Sequence, residues 1–154
     1  MSRPVRPGPV ESTRSRRTAD GGLATNSGPG RVLVAVYGVF ALSATARAAV
    51  QIATKFEVAP LAYVASAVAG LVYVVATISL ARGTRGSRRV ALVAIVVELV
   101  GVLGVGTLTL VDPTAFPDAT VWSDFGMGYG FVPLVLPFLG LLWLRRSRPR
   151  PSGA

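Results

Sequence analysis

Residues 90–111 read VALVAIVVELVGVLGVGTLTLV, an apolar run broken by one ionisable residue, Glu98. At about 1.5 Å per residue a helix of this length crosses a hydrocarbon core of about 30 Å. Three further stretches repeat the pattern, at 32–54, 61–81 and 125–144. The fold class that follows is all-α, a four-transmembrane-helix bundle. Composition agrees: the chain has 154 residues, 51% hydrophobic and only 15% charged, where a soluble domain carries about a quarter charged residues.

Working outward from the spans, residues 1–30 hold Pro4, Pro7, Pro9 and Pro29 with many Gly, Ser and Thr and almost no large apolar side chain. Such a segment cannot offset its ordering entropy by burial. It is expected to be a disordered basic cytoplasmic tail whose arginines hover near anionic lipid. Residues 31–146 form the transmembrane domain, and 147–154 a short basic cytoplasmic tail. Ser15, Arg16 and Arg17 suggest an export signal, but Ala19 and Asp20 stand where apolar residues are wanted. Ala44-Thr45-Ala46 has the small residues of a signal-peptidase site. Apolar character resumes after it, so a retained helix is expected.

Charge fixes the expected orientation. The N-terminal tail through Arg31 carries six basic residues. The connection Arg82, Arg85, Arg88, Arg89 carries four, as does the end of the chain, Arg145, Arg146, Arg148, Arg150. The opposite side has Lys55 alone, with Asp112, Asp118 and Asp124. Positive-inside bias puts both termini in the cytoplasm of a cell (inner) membrane protein. The formal net charge of +9 is thus a matter of topology, and no nucleic acid is expected as partner. The expected partners are the lipid bilayer and a second copy of the chain or another membrane protein.

Cysteine and histidine are absent, which excludes disulfides, thiolate nucleophiles and histidine-based acid–base or metal chemistry. Gly126, Gly128 and Gly130 have the density of a phosphate-cradling loop but lack the lysine and hydroxyl residue that a P-loop needs. Asp112, Asp118 and Asp124 recur every six residues, which does not alternate as calcium ligands do. With no nucleophile, base and oxyanion set in view, the chain is expected not to be an enzyme and to need no cofactor or metal.

The candidate binding residues are an intramembrane polar cluster of Glu98, Arg47 and Gln51. From Arg89, Glu98 lies about 13 Å along its helix, near the midplane; from Arg31, Arg47 lies about 24 Å along the first. A charged carboxylate at the midplane costs at least about 2.5 kcal/mol, so it should be protonated, paired or wetted. Arg47 is one candidate partner, and hydroxyls of Ser66, Tyr73 or Thr77 are the other. Ser43, Arg47 and Gln51 recur every four residues and should turn one polar stripe to protein, which Lys55 extends. In the second span Tyr63, Ser66, Gly70, Tyr73 and Thr77 form a packing seam, and Gly101, Gly104 and Gly106 open space for a neighbour in the third. Pro133 and Pro137 should kink or unwind the outer half of the fourth span. Trp122 and Trp143 should mark the two interfacial belts.

Two stretches, Tyr37-Gly38-Val39-Phe40-Ala41-Leu42-Ser43-Ala44-Thr45-Ala46-Arg47 and the run from Asp118 through Trp122, Gly126 and Gly130 to Pro133, resemble small integral membrane proteins common in actinobacteria. The resemblance covers about residues 31–146. It implies a four-span inner-membrane protein and supplies no activity, substrate or site residue. Small multidrug transporters share size and span number but carry a glutamate in the first span, where this chain has Arg47. The leading expectation is therefore a non-enzymatic protein acting through helix packing with itself or a membrane partner. The alternative is a small proton-coupled transporter using intramembrane Glu98.

Overall fold

The structure is a computed structural model that describes residues 28–147; the expected disordered tail before them and the end of the basic tail after them lie outside the described residues. The described residues form a helical bundle without strands, with elements α1 (Gly28–Lys55), α2 (Pro60–Arg82), α3 (Arg85–Val111) and α4 (Val132–Arg146). Helix α1 begins at Gly28, so residues 28–30, assigned to the tail from sequence, belong to the bundle. Helices α1, α2 and α3 are each long and apolar enough to cross a membrane.

The connections follow local chemistry. Pro60 sits in the first turn of α2, where its missing N–H is no loss. Gly83 closes α2 in the left-handed region (φ 62), which glycine enters without a Cβ penalty. Thr84 then caps α3: its hydroxyl accepts from the Ser87 amide at 3.1 Å, while Ser87 Oγ accepts from the Thr84 amide at 2.9 Å. The turn between α2 and α3 is thereby reduced to two residues. Arg85, Arg88 and Arg89, read as loop arginines, stand instead in the first turns of α3.

Sequential helices pack as neighbours, α1 on α2, α2 on α3, α3 on α4. The seam of α2 is real: Tyr63, Ser66, Gly70 and Tyr73 are buried. A Cβ on Gly70 would stand 2.8 Å from Thr45 Oγ1 and 3.1 Å from its backbone nitrogen, so α1 and α2 touch there backbone to backbone.

The fourth span departs most from expectation. Residues 125–144 are not one helix. Ser123–Tyr129 is a short coiled segment kinked at Asp124–Gly126 and bent 97° from α4, and α4 has 15 residues, about 22 Å at helical rise, short of a hydrocarbon core by itself. The break precedes the prolines. Asp124 (φ 50), Phe125 (φ 58), Gly126 (φ 79), Gly130 (φ 63) and Phe131 (φ 60) all lie in the left-handed region, and Pro133 enters α4 at its start. A Cβ on Gly126 would meet the Pro133 ring at 2.8 Å, so only glycine lets the chain fold this tightly. The stretch before α4 therefore does not continue the helix but turns back against α3.

Candidate functional site

Two polar clusters lie in the bundle, and the three residues of the expected single cluster divide between them. Glu98 is wholly buried, near the middle of α3. Its Oε2 accepts a hydrogen bond from Tyr37 Oη at 2.8 Å, and its Oε1 has no partner among the described residues. Tyr73 is equally buried, its ring 6.2 Å from that of Tyr37. The Tyr73 hydroxyl accepts from Trp122 Nε1 at 3.3 Å. Neither Ser66 nor Thr77 supplies a donor: Ser66 Oγ is unpartnered, and Thr77 donates to the Tyr73 carbonyl one turn back.

Arg47 does not pair with Glu98. Its guanidinium donates to Tyr129 Oη at 2.8 Å and to the Ala119 carbonyl at 3.0 Å, both in the segment joining α3 to α4. Gln51, one turn on, donates to Asp118 Oδ2 at 3.4 Å, Tyr63 donates to the same oxygen at 2.9 Å, and Lys55 lies 3.3 Å from it. The stripe at four-residue spacing thus grips one corner, Asp118-Ala119, and ties α1 and α2 to the segment joining α3 to α4. Hydrogen bonds from Tyr63, with the ammonium of Lys55 and the Ala119 amide, hold the Asp118 carboxyl below the usual carboxylate range. Ser43 does not join this face; it is exposed on α1.

The segment joining α3 to α4 then turns into the bundle. Thr120 and Ser123 bond each other's backbone and side chains, Thr120 Oγ1 accepting from the Trp122 and Ser123 amides at 3.1 and 3.0 Å. This tight turn drives the Trp122 indole over Gly101, where a Cβ would lie 2.6 Å from the ring. Gly101 is ten residues, or about 15 Å, inside the end of α3. Trp122 is 4% exposed and so is a core residue, not part of an interfacial belt. Trp143, half-buried, closes on Gly30 at the other end. Phe125 covers Gly106, and the Asp124 amide donates to Thr109 Oγ1 at 2.9 Å. Gly104 faces open space. The rings of Tyr37, Tyr73, Phe40 and Tyr129 lie 5.6–6.2 Å apart in sequence, so aromatic packing links the Glu98 cluster to the Arg47 cluster.

The three aspartates between α3 and α4 do not converge, and among the described residues no group of three potential ligands could hold a metal ion. Asp112 spends its carboxylate on the amide and hydroxyl of Thr114, which hold its pKa down. Two cavities open elsewhere. One, of about 780 Å³, lies between α1 and α4 and is lined by Val32, Val36, Val135, Leu139 and Trp143. The other, of about 380 Å³, lies between the start of α3 and the end of α4. Neither touches Glu98.

Sequence reasoning missed Tyr37, the donor to Glu98, and the corner at Asp118. A signal for the second was present, since Asp118 is an acid opposite the one stripe of basic and amide residues. Comparison with known protein families, curated proteins and solved structures finds no match to this chain.

Proposed function

We propose that this protein is a multi-pass component of the cytoplasmic membrane that works without catalysis, by packing its helices against a second copy of itself or another membrane protein, with both termini in the cytoplasm. The observation that carries the reading is where the polar groups go. Glu98, Arg47, Gln51 and Asp118 each bond another element of the same bundle, while the outward faces of the helices are apolar, with Val39, Leu42, Leu71, Val93 and Val100 exposed. Groups bonded in this way specify one bundle geometry; they are not free to meet a solute. The resemblance to small actinobacterial membrane proteins is in keeping with this reading.

Site-specific photocrosslinking in native membranes tests it. Probes at Leu139, in the seam between α1 and α4, and at Val100, on α3, are expected to give a discrete protein adduct from at least one face. Lipid adducts alone from every outward position would overturn the reading. Single cysteines test orientation against a background free of native thiols. Thr114→Cys should react with an impermeant thiol reagent from outside, and Ser147→Cys only after the membrane is opened.

Proton-coupled transport through Glu98 needs the carboxyl to meet a solute path, and the residue is enclosed by Tyr37, Tyr73 and their neighbours. A solute or proton flux in reconstituted vesicles that Glu98→Gln abolishes would establish that alternative in place of the packing reading.

A further inference from the structure

Four arginines converge at one end of the bundle with no acid among the described residues near them. Arg85, Arg88 and Arg89 come from the first turns of α3, and Arg145 from the last turn of α4; together with Leu92 and Leu141 they line the cavity of about 380 Å³. Arg88 is already committed: its guanidinium donates to the Leu144 carbonyl and, at 3.0 Å, to that of Ser147, closing the end of α4. Arg85, Arg89 and Arg145 stand exposed around it. Three guanidiniums on two helices, with no partner among the described residues, thus rim a hollow whose floor is apolar. Cations crowded in this way repel one another, and the start of α3 adds its own positive dipole. The arrangement is relieved by an anion with an apolar continuation.

We propose that this cavity binds an anionic phospholipid, its phosphate held by Arg85, Arg89 and Arg145 and its acyl chains lying along Leu92 and Leu141. The inference rests on this end facing the cytoplasmic leaflet, where anionic lipid is concentrated. Arginine suits the task because its planar fork offers paired donors to phosphate oxygens and is weakly hydrated. The apolar floor separates this ligand from a soluble phosphate, which would gain nothing from Leu92 and Leu141. A zwitterionic headgroup would bring its own cation into the arginine cluster and bind less well.

Native mass spectrometry of the purified full chain tests this, from micelles containing phosphatidylglycerol and phosphatidylcholine of matched acyl chains. The expected result is preferential retention of phosphatidylglycerol. The preference should fall by roughly two- to fivefold with each of R85Q, R89Q and R145Q, as surface arginines near anionic lipid would give. It should survive R6Q/R14Q/R17Q, which removes three charges from the tail, more than any one cavity variant removes. Single exposed replacements should leave the helical circular dichroism unchanged. Equal retention of the two lipids by the unaltered chain, or a preference lost with the tail variant and kept in the cavity variants, would overturn the proposal. Inorganic phosphate should fail to displace the lipid; displacement would mark a soluble-anion site and sink the lipid assignment.

Discussion

The hydroxyl of Tyr37 on α1 donates to Oε2 of Glu98 on α3 across 2.8 Å, with both side chains wholly buried. Helices α1 and α3 are not packing neighbours, so the bond is a diagonal tie across the bundle. It gives one oxygen of a buried carboxyl that has no cation beside it a fixed hydroxyl in place of water, and leaves Oε1 without a partner among the described residues.

That tie makes a prediction about which atoms matter. Tyr37→Phe removes the donor and leaves the carboxyl unsatisfied, which should cost about 1–3 kcal/mol. Glu98→Gln keeps an acceptor of the same shape and should cost less than about 1 kcal/mol, whereas Glu98→Ala also leaves a cavity and should cost about 2–5 kcal/mol. Thermal unfolding of the variants in one detergent gives the order. In a double-mutant cycle, Tyr37→Phe should cost no less in the Glu98→Gln background if the amide oxygen inherits the bond. Equal losses for Glu98→Gln and Glu98→Ala would show that the hydrogen bond is not what the site requires.

Asp118 gives the protein a pH dependence at the corner it shares with Tyr63 and Lys55. Its folded pKa is lowered, first by the Tyr63 hydroxyl and then by Lys55 and the Ala119 amide. A depressed carboxylate pKa adds stability above the unfolded value of about 3.9, and this is lost as pH falls through the folded pKa. The corner should therefore hold at neutral pH and loosen only as the solution is acidified below about pH 4. Much of the pair with Lys55 is solvent-exposed and should contribute no more than about 1 kcal/mol. Hydrogen exchange of residues 118–131 against pH would follow the loosening, and Asp118→Asn should flatten it. An acid-induced change that persists in Asp118→Asn would have to come from another group.

These two clusters also show how far a sequence can be read. The three unbroken spans were legible because length and apolarity fix them without reference to any partner. The polar stripe was legible at Arg47 and Gln51, yet not at Ser43. Each four-residue step overshoots a full turn by about 40°, and over eight residues the drift carries Ser43 off the face that Gln51 shares. Tyr37 could not be singled out, since its partner stands 61 residues away and nothing local distinguishes it from any aromatic in an apolar run. Trp122 was misplaced for a related reason. Proximity to a span end along the chain locates an interfacial residue only if the chain stays at the interface, and here the Thr120–Ser123 turn sends it inward. The kink expected from Pro133 and Pro137 falls earlier, at Asp124–Gly126 and Gly130–Phe131, and the direction the chain takes there depends on the hollows at Gly101 and Gly106.

Those hollows separate three glycines that look alike in sequence. A methyl at Gly101 would run into the Trp122 ring at 2.6 Å, and one at Gly106 would meet Phe125 at 2.6 Å and its backbone nitrogen at 2.8 Å, while one at Gly104 meets nothing within 4 Å. Gly104→Ala should therefore be neutral or stabilise α3 by up to about 1 kcal/mol, through helix propensity alone. Gly101→Ala and Gly106→Ala should each destabilise by about 1–3 kcal/mol, the usual cost of overpacking. Gly106→Ala should be the worse of the two, because a backbone nitrogen cannot rotate aside as an indole can. Tryptophan emission gives a second readout. Gly101→Ala should shift the Trp122 contribution towards that of a wetter indole, measured in a Trp143→Phe background, and Gly104→Ala should leave it unmoved. If all three alanine variants behaved alike, the segment before α4 would not be seated against α3.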